Sequence, residues 1–435
     1  SGWGPAVRGG WANTRKPDRE LLPFSDPVAQ DHLAGKLHAG LYPLGHDDTC
    51  RVLVCDFDGA GWTLDALAYL DAARAAAIPA ALERSRSGDG GHVWVFFKDR
   101  VPASSARRIG AYLVREAMTV RAELDLVSYD RLFPAQDFLP KQGFGNLIAL
   151  PLQGECRRNG TTVFLDPSNL EPYPDQWAFL ASVDRLSRQA AVSLAESLGD
   201  VAAGPDTRTY RQPAGSAGSP SPPASIRASA SAMLAIDRIG VPPALVAALK
   251  HASSSPNPDF YEKERNRFWT GNTPRFIRSY RETLDQLLLP RGLRPQAEQI
   301  AVEAGSRLEV TDAYPVTVAL DYELRALLRA DQQSAVDALA THDLGVLVAP
   351  PGAGKTVIAC ALIARHRVPT LVIVDRQHLV EQWRERLMTH LGLNKKAVGQ
   401  LGGKRKATGI VDLAMAQSLG RREDLGEVTV RYGLV

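Results

Sequence analysis

The sequence predicts an α/β protein, with a mixed sheet and flanking helices in its first half and a second α/β segment at its C-terminal end. Three observations indicate this class: an apolar strand ending in two aspartates, a glycine-rich loop that runs into another apolar strand, and a second glycine-rich loop between a strand and a helix. The 435 residues are enough for two or three domains, each with its own core.

The composition is that of an ordinary globular protein, with 45% hydrophobic and 23% charged residues. A net charge of +3 neither requires nor excludes a nucleic-acid partner. The sequence shows no apolar run of about 18 residues and no charged-then-apolar leader, so we expect no membrane span or signal peptide. The four cysteines form no C-x-x-C pair, which argues against a zinc site or disulfide framework and fits a cytoplasmic protein.

Four regions follow from changes in composition and periodicity. Gly, Pro, Ser and Ala dominate the linker, and a stretch that we predict to be helical follows it. The regions are an α/β domain at 1–202, a linker at 203–225, a helical bridging region at 226–320, and a second α/β segment at 321–435.

The first α/β domain begins with alternating strands and helices. Apolar and β-branched runs predict strands, and alanine-rich or amphipathic stretches predict helices, one of which ends at Pro79. The expected strands are 51–58, 92–97, 145–152 and 162–165, and the expected helices are 64–78 and 104–118.

Two aspartates end the first of these strands. Side chains alternate along a strand, so Val52, Val54, Asp56 and Asp58 share one face, and the two carboxylates lie roughly 7 Å apart. Carboxylates at this spacing can converge on one or two divalent ions, such as Mg²⁺ or Mn²⁺. Such ions clamp the attacking and leaving oxygens in a phosphoryl or nucleotidyl transfer.

Two other interpretations of the pair are open. The aspartates could simply end the strand and cap the turn before Gly59. The pattern strand-Asp-x-Asp-Gly also opens the haloacid-dehalogenase-like phosphatases, in which the first aspartate is a nucleophile. Those phosphatases have Thr or Val after the glycine, whereas Ala60 and Gly61 follow here.

A glycine-rich loop leads into the next strand. Gly88, Gly90 and Gly91 allow backbone amides to approach a triphosphate closely, and His92 opens the strand 36 positions after Asp56. A lone histidine at a strand start is usually structural. A histidine directly behind such a loop, one helix after an Asp-x-Asp strand, favours a role in binding or catalysis.

These two motifs together resemble a known family. The succession Asp56-Phe-Asp58 and Ser87-Gly-Asp-Gly-Gly-His92-Val-Trp94 resembles the first two motifs of archaeo-eukaryotic primases, and most closely the primase domain of TOTE conflict systems, where primase and helicase are fused. The resemblance covers most of residues 30–185. The stretches that carry it are 83–97, 128–137, 143–153 and 174–180.

The resemblance implies an archaeo-eukaryotic primase catalytic core and a primase-polymerase. Such an enzyme makes or extends a primer on a single-stranded DNA or RNA template, and conflict-system proteins are its possible partners. Asp56 and Asp58 would then hold catalytic Mg²⁺ or Mn²⁺. A third acid should complete the metal site; Asp130 is the first choice and Asp125 the second.

The same resemblance assigns the nucleotide site. His92, together with Ser87, would bind the phosphates of the incoming NTP or dNTP. Arg131 and Lys141 would contact phosphates or the template. Many members of the family have serine where Gly90 stands here.

A second phosphate-binding motif lies near the C-terminal end. A predicted strand at 346–349 leads into a P-loop, and a helix is expected at 357–365. The backbone of the loop would cradle the phosphates of ATP, Lys355 would reach the β- and γ-phosphates, and Thr356 would coordinate Mg²⁺. The alternative is a degenerate loop kept for packing. The loop residues are Pro351, Gly352, Ala353, Gly354, Lys355 and Thr356.

The surroundings of this loop resemble superfamily 2 helicases. Residues 328–333 look like the glutamine motif, with Gln332 as the adenine reader, and residues 370–383 look like a strand-helix motif that touches nucleic acid. The resemblance implies the front part of a RecA-like lobe. The sequence ends at Val435, where the metal-holding acidic motif should begin, so we expect no unwinding and weak ATP hydrolysis.

Residues 261–280 interleave cations with aromatic side chains. This pattern suits contact with phosphates and stacking on bases, and equally suits a helix with a charged outer face.

The motifs of the whole sequence leave three competing functions: a primase-polymerase, a helicase-type ATPase module with an inactive primase-like domain, and a phosphatase.

Overall fold

The computed structural model describes residues 2–5, 22–23, 25–198, 221–313, 319–402, 407, 410–422, 424 and 431–435. Most of the expected linker lies outside these ranges. The chain forms two compact units. The first comprises Ser1–Ser229 and Met233–Thr311, and the second comprises Ala230–Ala232 and Asp312–Val435.

Short strands and helices alternate along the first unit, and two of its strands cross the unit boundary by one residue. The strands are β1 (Gly2–Pro5), β2 (Leu22–Pro23), β3 (Ala39–Leu41), β4 (Thr49–Asp58), β5 (Ala81–Arg84), β6 (Gly90–Pro102), β7 (Leu132–Phe133), β8 (Ile148–Ala149), β9 (Phe164–Leu165), β10 (Ile226–Ala230), β11 (Met233–Asp237), β12 (Ser254–Pro256), β13 (Phe276–Arg278), β14 (Arg281–Glu282), β15 (Gln286–Pro290) and β16 (Leu308–Asp312). The helices are α1 (Asp26–Ala34), α2 (Trp62–Ala75), α3 (Ala103–Val120), α4 (Gly154–Arg158), α5 (Gln176–Ser182), α6 (Arg188–Ser197), α7 (Pro243–Ala252), α8 (Pro258–Arg265) and α9 (Arg294–Glu303), with 3₁₀ turns at Leu126–Arg131 and Arg291–Leu293.

The central sheet of the first unit has the order β7-β4-β6-β5-β9, and its neighbouring strands pair antiparallel. Helices α2 and α3 cover one face of this sheet. Gly110 of α3 lies so close that an added Cβ would sit 2.9 Å from Leu132 and 3.0 Å from Leu53. The other face carries polar side chains next to the buried apolar residues Val54 and Trp94.

The strands predicted at 51–58 and 92–97 and the helices predicted at 64–78 and 104–118 correspond to β4, β6, α2 and α3. The stretch 145–152 was expected to be one strand, but only Ile148–Ala149 pairs, beside β3. Gly143 and Gly145 adopt φ values of +104° and +81°, so the backbone turns just before that strand.

The prediction that residues 226–320 form a helical bridging region is wrong in part. The region contains α7, α8 and α9, but it also forms a five-stranded sheet of order β14-β15-β11-β10-β16. These strands are short and rich in Ala and Leu, residues that favour helices in isolation. Their pairing is decided by distant partners: β11 pairs with β15, about fifty residues later.

This region packs against the central sheet's helices through buried polar groups. Lys250 of α7 is completely buried and donates from Nζ to the carbonyl oxygens of Ala122 and Leu124, 2.5 and 3.3 Å away, beyond the end of α3. Arg107 of α3 is also buried and pairs with Asp137 and Glu264, at 2.6 and 2.5 Å. Removing one partner of such buried groups costs several kcal/mol, so these contacts fix the region to the sheet domain.

The second unit has a small parallel sheet of order β17-β19-β18. Val374, Val380, Leu387 and Leu413 belong to its core, which lies between the sheet and the helices. The strands are β17 (Thr370–Val374), β18 (Val398–Leu401) and β19 (Val411–Met415), and the helices are α10 (Ala330–Leu339), α11 (Lys355–His366), α12 (Gln377–Leu391) and α13 (Ala416–Leu419).

The strand expected at 346–349 does not form. Val346 and Val348 are 88% and 91% exposed, and no strand in the described part of the chain pairs with this stretch. Its β-branched residues favour an extended backbone, but a strand also needs a neighbour to accept and donate hydrogen bonds. None of the helices in the described ranges has the length and apolarity needed to cross a bilayer.

The contact between α7 and the 3₁₀ turn makes stability depend on pH. His251 is buried; its Nδ1 donates to the carbonyl of Ala247, 2.7 Å away, so its Nε2 accepts from the hydroxyl of Tyr129, 3.0 Å away. Burial lowers the pKa of His251 from 6.5 to about 4. The pKa of His251 is lower in the folded state than in the unfolded state. The contribution of the buried, neutral imidazole to stability is therefore fully present above about pH 6.5 and is lost as the pH falls towards 4.

We expect His251→Gln to remove this pH dependence. Between about pH 7 and about pH 5, the wild type should lose about 2 kcal/mol more stability than the variant, because only the wild type must protonate this imidazole on unfolding. Urea unfolding of the full chain at both pH values measures the difference. Equal losses in the two proteins would show that His251 is not buried in its neutral form.

Candidate functional site

A row of three polar side chains crosses the central sheet on the face away from α2 and α3. The strand pairing sets Asp56 of β4 opposite His92 of β6, and His92 opposite Glu83 of β5. His92 Nε2 lies 3.6 Å from Asp56 Oδ1, and His92 Nδ1 lies 2.9 Å from Glu83 Oε2. The structure therefore brings together two of the residues expected to act together and adds a third.

Glu83 was not identified from the sequence. Its side chain is fully buried, and Oε2 accepts hydrogen bonds from both His92 Nδ1 and Trp94 Nε1, the latter at 2.7 Å. Its other oxygen, Oε1, has no hydrogen-bond partner among the described residues. The sequence shows Glu83 only as an acid within the short apolar stretch Ala-Leu-Glu-Arg. The order of the strands in the sheet is needed to place Glu83 beside His92.

The row is electrostatically coupled. Burial disfavours the charged imidazole, but the charge and hydrogen bond of Glu83, with the charges of Asp56 and Asp58, outweigh it and raise the pKa of His92. Burial, followed by the nearby charge of Asp58, raises the pKa of Asp56 even though His92 opposes that shift. Asp56 is thus a partly desolvated carboxylate whose charged form would be stabilised by a bound cation.

Asp58 lies at the open end of the row. Its side chain is 54% exposed, and Oδ2 accepts a hydrogen bond from Arg131, 2.8 Å away. Gly90 is its cross-strand neighbour, and an added Cβ there would lie 2.7 Å from Asp58 Oδ1 and 2.8 Å from the carbonyl oxygen of Phe57. The glycine at this position leaves room for the Asp58 carboxylate.

The glycine-rich loop is the turn that joins β5 to β6. Its ends are tied by a hydrogen bond from Ser85 N to the carbonyl of Gly90, and Gly88 adopts a φ of +84° that favours glycine. Ser87 is exposed, and its Oγ accepts from the backbone N–H of Asp89. Because Gly90 and Gly91 open β6 opposite Asp58 and Phe57, the turn lies at the same end of the sheet as the aspartate pair.

The two acids considered for the third metal ligand have other partners. Asp130 Oδ1 accepts the backbone N–H of Arg275, 2.8 Å away. Asp125 accepts from the Tyr280 hydroxyl and pairs with Arg278, 2.6 Å away. In the described residues, no three His, Cys, Asp or Glu side chains form a group that could hold a metal ion. Both acids thus hold residues 275–280 against the sheet domain, and a third acidic metal ligand stays a prediction.

Lys141 also lies apart from the aspartate pair. Its backbone N–H donates to the carbonyl of Arg267, whose guanidinium pairs with Asp48, just before β4 begins. Asp56 and Asp58 stand at the opposite end of that strand. Lys141 thus lies apart from Asp56 and Asp58, whereas Arg131 contacts Asp58.

The aspartate pair fits a metal ion that its substrate would help to hold. Mg²⁺ is usually bound by one or two carboxylates together with substrate phosphates and waters. Asp56 and Asp58 supply two carboxylates on one face, beside a turn whose backbone can approach phosphates. Such a site needs no third protein acid.

The expected P-loop of the second unit is formed. Gly352 and Gly354 have φ values of +83° and +82°, and α11 begins at Lys355. Lys355 Nζ donates to the carbonyls of Ala349 and Pro350, so it folds back over the loop. Thr356 lies in the first turn of α11, Pro351 is exposed, and the carbonyl of Ala353 faces α10.

Gln332 contacts this loop directly. It is buried in the first turn of α10, and its Nε2 donates to the carbonyl of Ala353, 3.0 Å away. An added Cβ on Gly354 would lie 2.3 Å from the same nitrogen, so glycine is required there unless the glutamine moves. Gln332 and the glycine-rich loop therefore pack directly against each other.

Comparison with known proteins finds a different family match in each of the two compact units. Residues 1–194 match the family described as TOTE conflict system, Archaeo-Eukaryotic Primase domain, and residues 325–429 match the family described as Type III restriction enzyme, res subunit.

Helicase relatives support the second assignment. The DNA 3'-5' translocase XPB2 of Sulfurisphaera tokodaii is 32% identical over 117 residues, which is 27% of this chain and 26% of that protein. The DNA 3'-5' helicase XPB of Kineococcus radiotolerans is 37% identical over 90 residues, 21% of this chain and 16% of that protein. The chain thus spans about a quarter or less of the length of these two relatives.

The crystal structure of the UvsW helicase from bacteriophage T4 aligns with 46% of this chain and 78% of that chain, at 15% identity. Its TM-score of 0.34 is too low to support a conclusion about the fold. The family matches and the helicase relatives lead to one conclusion: residues 1–194 match an archaeo-eukaryotic primase domain of the TOTE conflict system type, and residues 325–429 match a helicase-type segment that is similar to res subunits and to XPB proteins.

Proposed function

We propose that the first unit is a primase-polymerase that makes or extends a nucleic-acid primer on a single-stranded template. The observation that carries this proposal is the row of Asp56, His92 and Glu83, with Asp58 beside it, at the glycine turn between β5 and β6. This row lies inside the segment that matches the primase family.

In this proposal the turn and His92 hold the triphosphate of the incoming NTP or dNTP. The exposed Ser87, together with the backbone amides near Gly88, can donate hydrogen bonds to phosphate oxygens. His92, whose pKa is raised, presents Nε2 as a donor or positive charge towards the same region. Glu83 fixes the imidazole by accepting from Nδ1.

Asp56 and Asp58 would hold Mg²⁺ or Mn²⁺. When bound, such ions neutralise charge on the reacting phosphate and align the attacking 3′-hydroxyl with the leaving pyrophosphate. Arg131 donates to Asp58 Oδ2, which orients that carboxylate. The primer hydroxyl would attack the α-phosphate on this open side of the sheet.

For the second unit we propose ATP binding at residues 351–356. The glycine backbone would receive the phosphates, Lys355 would exchange its two carbonyl partners for the β- and γ-phosphates, and Thr356 would meet Mg²⁺. Gln332 would contact adenine from the first turn of α10.

Two alternatives stay open to experiment. An ATPase module with an inactive primase-like domain would hydrolyse ATP but incorporate no nucleotide. A phosphatase would release phosphate from a simple ester without a template. The family match over residues 1–194 is to a primase, which favours neither alternative.

We expect Asp56→Asn to reduce nucleotide incorporation by on the order of a thousandfold, because one metal-binding charge is lost. Extension of a labelled primer on single-stranded DNA or RNA, with Mg²⁺ or Mn²⁺, measures this loss. Asp130→Asn is the matched control and should keep most activity, since Asp130 binds a backbone amide. Extension by Asp56→Asn, or equal loss in both variants, would contradict the assignment.

We expect Glu83→Gln to raise the KM for the incoming nucleotide by on the order of tenfold, because His92 loses its charged acceptor and its fixed orientation. Template affinity and the thermal midpoint should change little, which separates positioning of His92 from a general loss of structure. A drop in thermal midpoint without a change in KM would instead indicate that Glu83 only supports the fold.

We expect Lys355→Ala to weaken ATP binding by about tenfold or more, since a charge-assisted hydrogen bond is worth about 1.5–3 kcal/mol. Binding of a fluorescent ATP analogue measures the effect, and primer extension serves as the internal control. Extension should be unchanged, because Lys355 and Asp56 belong to different units. Unchanged ATP binding would favour a loop kept only for packing.

A further inference from the structure

The first unit exposes three aromatic rings on two loops that are distant in sequence. Phe138, Phe268 and Trp269 are 38%, 57% and 49% exposed. We call these rings, together with the cations Lys141 and Arg265, the aromatic surface. Residues 265–269 lie outside both segments that match a family, whereas Phe138 and Lys141 lie inside the segment that matches the primase family.

Gln136 holds the two loops together. This side chain is 1% exposed; its Nε2 donates to the carbonyl of Phe138, and its Oε1 accepts from the backbone N–H and hydroxyl of Thr270. The amide therefore fixes the backbone beside Phe138 and the backbone beside Trp269 at once.

Asp48 ties both loops to the start of β4. It accepts the backbone N–H of Leu139 and a two-pronged contact from Arg267, at 3.1 and 2.7 Å. The Arg267 guanidinium also lies over the ring of Phe138, 5.2 Å from its centre. These contacts hold the exposed rings on a rigid support rather than on freely moving loops.

Trp269 is fixed individually. Its Nε1 donates to Asn146 Oδ1, 3.2 Å away, and its ring lies against Gly271, where an added Cβ would sit 2.0 Å from the indole. A tryptophan that is held in one orientation and still half exposed has already lost its side-chain entropy. Such a ring can bind a flat partner at little further entropic cost.

The cations of the surface are available to a ligand. Lys141 and Arg265 are exposed, and within the described ranges neither forms an ion pair with a carboxylate. Asp48, the acid that both loops contact, is already paired with Arg267. The surface therefore offers flat apolar rings next to unneutralised positive charge.

We infer that the aromatic surface binds single-stranded nucleic acid, with bases stacked on the rings and phosphates beside the cations. The inference rests on the proposed function, in which the first unit works on a single-stranded template. Asp48 precedes β4 and Asp56 lies eight residues later, which is roughly 25 Å along an extended strand. One strand reaching both places would span several nucleotides, within the range of about 4–16 for single-strand modules.

The test uses the full chain with Phe268→Ala and Trp269→Ala combined. Fluorescence anisotropy with labelled oligothymidylate and oligouridylate of about 20 nucleotides distinguishes DNA from RNA. Affinity should fall by about tenfold or more for each ring that stacks a base. Trp177→Ala is the matched control, since Trp177 is also 50% exposed but lies on α5, and it should bind as the wild type does.

Two further variants keep the test decisive if the double variant folds poorly. Phe268→Tyr with Trp269→Phe retains stacking and should bind within about threefold of the wild type. Lys141→Ala should reduce the slope of log affinity against log salt by about 0.7, the value for one phosphate contact on a single strand. Equal oligonucleotide affinity in the wild type, the alanine double variant and Lys141→Ala would overturn the inference.

Primer extension separates this inference from the proposed function. If the wild type incorporates no nucleotide but its single-strand binding depends on Phe268 and Trp269, the surface stands and the primase-polymerase proposal fails. If extension occurs and the oligonucleotide affinity is the same with and without the two rings, only the surface inference fails. Self-association that the alanine variant abolishes, without any change in oligonucleotide affinity, would assign the surface to a second copy and also overturn it.

Discussion

The antiparallel pairing of β4 with β6 is the constraint on which the rest of the first unit depends. Its register sets Asp56 opposite His92 and Asp58 opposite Gly90. A slip of one residue would turn every side chain of one strand to the other face and bury the aspartates against α2 and α3. The buried residues Leu53, Cys55 and Val93 on the helix-covered face therefore stabilise the register that exposes the chemical groups.

The row across the sheet is a buried charge network that is only partly satisfied. Glu83 has one oxygen with two donors and another with none in the described structure, and His92 links it to Asp56. Unpaired buried oxygens destabilise a fold, so natural proteins retain them where they serve a site. The raised pKa values of His92 and Asp56 have the same origin, since both groups share a desolvated space.

Residues 243–280 form the second support of the unit. Lys250, Arg107 and Asp130 are polar groups whose partners lie more than a hundred residues away in the chain. Their contacts join α7, α8 and the segment before β13 to the sheet domain, and the same docking positions the exposed rings of Phe268 and Trp269. A region that the family match leaves out is therefore packed as part of the same compact unit.

The sequence by itself determined β4, β6, α2 and α3, and it determined the shared face of Asp56 and Asp58, because alternation along β4 follows from covalent geometry. It also determined the glycine turn and the P-loop, since their backbone conformations require glycine at fixed positions. Only the tertiary structure decided what depends on strand order and on partners distant in sequence. Glu83 became the partner of His92, Asp130 became an anchor for a backbone amide, and residues 226–312 gained a sheet, because pairing energies between remote segments exceed the weak local preferences that a sequence displays.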